Sequence, residues 1–201
     1  MTTNEKTIEV EGLPVRYLEG GEDNGRALLL LHGGLGGARA NWSQVLPALE
    51  EKFHVIVPDL PGFGDTAALP DMSIEKRVHW LRALLDALGQ HEAVVLGAGS
   101  GGLLARLFAA AEPQYVPAII LVNGGALPRY PGFLPALTRL PAIGETALQL
   151  FGRIRHENQN PDRMIYVKEA LTEELRAAWR DSAPGFTSLM RALMSYTYPA
   201  N

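Results

Sequence analysis

The chain has 201 residues, and 18 Lys+Arg against 22 Asp+Glu leave a formal charge of −4, which argues against a nucleic-acid partner. At 47% hydrophobic and 20% charged, the composition is that of an ordinary globular core and excludes disorder, collagen-like repeats and coiled coil. There is no cysteine, hence no disulfide framework, thiolate zinc site or cysteine nucleophile. No apolar run reaches the roughly 18 residues of a membrane span, and Met1 to Lys6 carry no apolar leader, so neither a membrane partner nor export is expected and a cytoplasmic address is the default.

From the N-terminus, Thr7–Glu11 and Val15–Glu19 alternate apolar and polar around Gly12-Leu13-Pro14, predicting a hairpin of edge strands. Ala27–Leu31 is an uninterrupted apolar run and predicts a strand buried on both faces. It ends in His32-Gly33-Gly34-Leu35-Gly36-Gly37, after which Trp42–Lys52 reads as a helix with Val45, Leu46 and Leu49 inward. His54–Asp59 is a second buried strand, followed by the turn-rich Pro61-Gly62-Phe63-Gly64-Asp65-Thr66. Ser73–Leu88 is a helix with Ile74, Val78, Leu81, Leu85 and Leu88 on one face and Gly89 as its stop.

Ala93–Gly97 is a third buried strand and runs into Ala98-Gly99-Ser100-Gly101-Gly102, with a helix over Leu103–Ala111. Ala118–Asn123 is a fourth buried strand. Strands alternating with helices at this spacing imply parallel pairing, hence a doubly wound, mostly parallel α/β sheet. From Leu127 to Ile143 prolines are dense, and then only helical patterns follow, at Glu145–Arg155, Thr172–Asp181 and Phe186–Tyr196. The expected division is a core over 1–127 and a small helical cap over 128–201.

In an open parallel sheet the ligand sits beyond the carboxyl ends of the strands, where the glycine-rich turns 32–37, 61–64 and 97–102 gather. His32-Gly33-Gly34, Pro58-Asp59-Leu60-Pro61-Gly62-Phe63-Gly64 and Gly97-Ala98-Gly99-Ser100-Gly101-Gly102, in this order, resemble the α/β-hydrolase fold family over about residues 1–125. Within it, Ala40-Asn41-Trp42 and Pro184-Gly185-Phe186 are similar to the meta-cleavage-product hydrolases, which split carbon–carbon bonds of ring-opened aromatic compounds. The resemblance implies a sheet of the α/β-hydrolase type, C-terminally shortened, with a small helical cap. It implies no cofactor and a small-molecule substrate or ligand.

By the resemblance, the nucleophile lies at the centre of a small-x-nucleophile-x-small turn. Counted from the strand, that position falls on Gly99, which has no side chain to attack with; shifted by one residue it falls on Ser100. The first register agrees better with the strand and the glycine pair, leaving Ser100 as a displaced nucleophile or as the cap of the following helix. The backbone N–H groups of Gly34 and Ser100 match the positions of oxyanion donors. The family's later acid and histidine find no counterpart after Asn123, where the one histidine is His156 in a polar stretch. His32 resembles a structural member of its glycine turn, and Asp59 reads as the organiser of the turn after its strand. Asn41 is either a polar pocket residue or the N-cap of the Trp42 helix, and Arg176 and Arg180 either meet a carboxylate substrate from the cap or are solvated.

If the sheet ends at Ala118–Asn123, that apolar strand is an open edge, and a homodimer or higher oligomer through residues 118–123 or through the cap is expected. Two functions follow: a hydrolase of small esters or carbon–carbon bonds using Ser100, or a catalytically silent scaffold that keeps a ligand pocket.

Overall fold

The computed structural model describes residues 4–126, 133–138, 140, 143–165 and 167–196. Six strands, β1 (Asn4–Val10), β2 (Leu13–Gly20), β3 (Ala27–Leu31), β4 (His54–Pro58), β5 (Val94–Ala98) and β6 (Ile119–Val122), form one sheet in the order β1-β2-β4-β3-β5-β6. β1 and β2 make the expected antiparallel hairpin, β2 runs antiparallel to β4, and β4, β3, β5 and β6 are mutually parallel. Only β1 of the hairpin is an edge; β2 lies inside the sheet because its far side pairs with β4.

The apolar run of β3 divides by period two between the faces. Leu29 and Leu31 join the core under α3 (Ile74–Ala87) and α4 (Ser100–Ala111), whereas Leu28 and Leu30 join Val55, Val57 and Trp42 on the opposite side. Full burial of all five β3 residues is why this segment could carry no polar position.

α3 begins where Ser73 Oγ accepts from the Lys76 N–H and stops at Gly89, whose φ of +68° lets Gln90 N–H reach the Leu85 carbonyl at 2.8 Å. The helix expected over Trp42–Lys52 is instead two short ones, α1 (Ala38–Trp42) and α2 (Leu46–Leu49). Pro47 lacks the N–H that a continuous helix would direct at the Ser43 carbonyl, so the chain turns there and Val45 is exposed rather than inward.

The fourth strand was expected to be buried; Ile119, Ile120, Leu121 and Val122 are instead 38–47% exposed. Among the described residues β6 has a neighbour on one side only, and the alternate β5 residues Val94, Leu96 and Ala98 are only partly covered on the same sheet face. The open edge foreseen from the sequence is therefore present among the described residues.

Beyond β6 come α5 (Phe133–Thr138), α6 (Gly144–Glu157), α7 (Pro161–Met164), a 3-10 turn at Lys168–Ala170, α8 (Glu173–Asp181) and α9 (Ala183–Ser195). The expected boundary at 127/128 and most of the proline-dense stretch lie outside the described residues. Phe186, Leu189, Met190 and Leu193 of α9 share one apolar cluster with Leu103 and Leu104 of α4, so the last helix is packed into the core of the sheet domain. At its start Gly185 rests on the turn at Gly62, where a Cβ would lie 3.0 Å from the Gly62 carbonyl carbon.

Candidate functional site

The three glycine-rich turns do converge at the carboxyl edge of the parallel strands, and two are fixed by buried polar residues. His32 is fully buried; its Nδ1 lies 2.7 Å from the Gly33 carbonyl and its Nε2 2.9 Å from the Leu60 N–H. A neutral ring that donates from Nδ1 and accepts at Nε2 satisfies both contacts, and burial holds its pKa below the ordinary histidine value. His32 thus ties the first glycine turn to the second and has no nitrogen left for proton transfer.

Asp59 is likewise fully buried. Its Oδ1 accepts from the Ala38 N–H at 2.6 Å, and its Oδ2 accepts from Arg16 Nε at 2.6 Å and from the Asp65 N–H at 3.0 Å. This is the turn-organising role that the sequence suggested, extended to the start of α1.

The third turn joins β5 to α4. Gly99 is the N-cap of α4 at φ +54°, ψ −118°, a left-handed backbone that side chains rarely adopt. Gly97 and Gly101 flank it where chains touch: a Cβ on Gly97 would lie 2.6 Å from Gly102 Cα, and one on Gly101 2.7 Å from the Leu31 carbonyl carbon. At Gly99 itself the nearest atom to such a Cβ is Gly33 Cα at 3.8 Å. Ser100 is the first residue of the helix and makes no capping bond, so the capping role does not hold: the residue in the cap position is Gly99.

Over this turn lies a cavity of about 650 Å³. Gly34, Gly99, Ser100, Asn41 and Asn123 line its floor, Leu103, Phe186, Leu189, Met190 and Leu193 form an apolar wall, and Arg155, Asn158 and Gln159 reach it from α6 and the turn after it. Its described lining contains no histidine and no carboxylate. Among the described residues the side chains of Ser100, Asn123, Arg155, Asn158 and Gln159 make no hydrogen bond or ion pair.

Of the residues singled out from sequence, Gly34, Asn41, Gly99 and Ser100 are brought together. Asn41 is not the cap of a helix beginning at Trp42; it sits inside α1, and its Nδ2 donates to the Leu35 carbonyl at 2.7 Å and the Gly37 carbonyl at 2.9 Å, bracing the first glycine turn. Arg176 and Arg180 do not line the cavity: both pair with Glu173, and Arg176 also with Asp162 at 3.2 Å.

His156 follows Arg155 but turns away from the cavity. Its ring stacks on Trp179 at 4.8 Å, its Nε2 lies 2.9 Å from the Trp179 carbonyl and 3.1 Å from Ser182 Oγ, and burial lowers its pKa. Ser182 Oγ also donates to the Trp179 carbonyl at 2.7 Å, so the three groups form a junction between α6 and the α8–α9 corner. Asn123, Arg155, Asn158 and Gln159 went unrecognised in the sequence; the Asn123-Gly124-Gly125 run after β6 was the available signal for the first. The apolar wall could have been read from residues 186, 189, 190 and 193, which repeat at helical spacing.

A family profile described as alpha/beta hydrolase fold matches residues 26–182, and the chain belongs to that family. It is 31% identical over 128 residues to a 2-hydroxy-6-oxo-6-(2'-aminophenyl)hexa-2,4-dienoic acid hydrolase of Metapseudomonas resinovorans, covering 61% of this chain and 43% of that protein. It is 33% identical over 129 residues to Lipase 1 of Psychrobacter immobilis, covering 60% of this chain and 40% of that protein. Among solved structures, the haloalkane dehalogenase DbeA of Bradyrhizobium elkani superposes with a TM-score of 0.71 at 26% identity, over 96% of this chain and 70% of that one. The chain therefore spans less than half the length of these two sequence relatives.

Proposed function

We propose that this chain is a small-molecule-binding form of the α/β-hydrolase scaffold, in which glycine holds the nucleophile's place and a carbonyl compound is bound without being cleaved by a side chain of this chain. Gly99 carries the reading. A strained strand-to-helix turn exposes its central residue to the ligand, and here the residue with that backbone has no side chain. Space is not what excludes one, since a Cβ at Gly99 would meet nothing closer than 3.8 Å.

Hydrolysis through Ser100 would need a base within hydrogen-bond reach, and the described lining supplies none. The backbone N–H groups of Gly34 and Ser100 need no side chain and remain candidates to hold a carbonyl oxygen. An apolar wall with neutral amides and one guanidinium suits a small, largely apolar carbonyl compound. The name of the Metapseudomonas resinovorans relative, an oxo-dienoic acid hydrolase, points to the same group.

Labelling with a fluorophosphonate, which traps activated serines, tests the reading. Folded protein is expected to give no adduct by intact mass. An adduct that maps to Ser100 and disappears in Ser100→Ala would restore the hydrolase reading.

A further inference from the structure

Resting on that reading, we infer that Asn123 is a ligand-contact residue: a left-handed backbone at the end of β6 brings its unpaired carboxamide to the cavity beside Gly99, where it donates to an oxygen of the bound carbonyl compound. Asn123 has a φ of +47°, one of two non-glycine residues in that region among those described. Its loop is stitched to the strand-to-helix turn on both sides. The Gly99 N–H donates to the Val122 carbonyl at 3.1 Å, and the Gly125 N–H donates to the Gly99 carbonyl at 3.3 Å.

Gly124 is held to glycine by contact, because a Cβ there would lie 2.5 Å from Gly99 Cα. Asn123 is the reverse case: its backbone favours glycine, yet a polar side chain is present. Asparagine takes this backbone more readily than other side chains do, and its short side chain brings a polar group to the cavity. The side chain is exposed, lines the cavity and has no hydrogen-bond partner among the described residues, so its carboxamide faces solvent and is open to a ligand that enters the space. A neutral amide can donate to a carbonyl without carrying charge onto the apolar wall.

The test is the dissociation constant of methyl benzoate, an uncharged aromatic ester, for wild type, Asn123→Gly and Asn123→Asp, with thermal melting of each. Asn123→Gly relaxes the backbone, so its melting temperature is expected to equal or exceed the wild-type value while its dissociation constant rises about three- to tenfold, the range of one hydrogen bond. Asn123→Asp tolerates the same backbone but offers no donor at neutral pH, so it is expected to weaken binding at least as much. Unchanged binding by Asn123→Gly would overturn this inference alone and make Asn123 a turn residue. Failure of the wild type to bind would overturn it together with the reading it rests on.

Discussion

Adding a single methyl group at three glycines of the β5–α4 turn separates conformational strain from collision. At Gly99 a Cβ has its nearest neighbour at 3.8 Å, so Gly99→Ala costs only the left-handed backbone, about 1–2 kcal/mol. At Gly97 the Cβ would lie 2.6 Å from Gly102 Cα, and at Gly101 2.7 Å from the Leu31 carbonyl carbon. Both obstacles are backbone, which cannot swing aside as a flexible side chain can. Relief requires α4 to move off β5 and β3, so each substitution is expected to cost about 3 kcal/mol or more, the upper end of overpacking effects. The gap of about 1–2 kcal/mol between the classes corresponds to roughly a 5- to 30-fold difference in the folding constant. Urea denaturation followed by circular dichroism measures it. Gly99→Ala as damaging as Gly97→Ala would refute the claim that position 99 keeps room for a side chain.

Other consequences follow from the buried polar groups and the open edge. Asp59→Asn puts an amide N–H₂ where Oδ2 accepts from Arg16 and Asp65 or where Oδ1 accepts from Ala38, and is expected to destabilise by about 2–4 kcal/mol in the same urea experiment; a change below about 1 kcal/mol would contradict the bonding described. His32 and His156 both have folded pKa values below the unfolded value of about 6.5, so the unfolded chain binds protons more readily. Stability is therefore full above about pH 6.5 and falls as pH drops through that value toward the folded values; in His156→Phe the slope between pH 7 and 5 is expected to shrink, and an unchanged slope would remove His156 from the account. Two copies are expected to associate through the exposed apolar β6 edge, with Ile120→Lys shifting the sedimentation coefficient to that of the monomer, whereas a wild type already monomeric at tens of micromolar would contradict it.

The parallel core was legible because burial on both faces leaves an unmistakable run of apolar residues, as at Ala27–Leu31, and because helix 74–87 carries its own start and stop at Ser73 and Gly89. The same rule misled at Ile119–Val122. An apolar run reports that a strand is suited to burial, but what lies beside it is a property of the whole sheet, and here nothing described pairs with its outer side. Pro47 was visible, yet its effect on the Trp42–Lys52 helix lay in a single missing donor that the apolar spacing outweighed. At the site, sequence left two registers for the turn, one residue apart and with the Gly99 register favoured by the strand; the positive φ of Gly99 is a feature that the sequence does not show. Asn41 was marked for its position, but its bond to the Leu35 carbonyl depends on how the glycine turn folds back over α1.

The most direct test of the central claim is a titration of ¹⁵N-labelled protein with methyl benzoate, followed by two-dimensional NMR, in which the ester and its products are visible in the same tube. Perturbed amide signals clustered at Gly33, Gly34, Gly99, Ser100 and Asn123, with the ester signals intact after prolonged incubation, are the predicted result. Accumulation of benzoate and methanol that ceases in Ser100→Ala, or perturbations confined to α8 and α9 around Trp179 and Thr187, would contradict it.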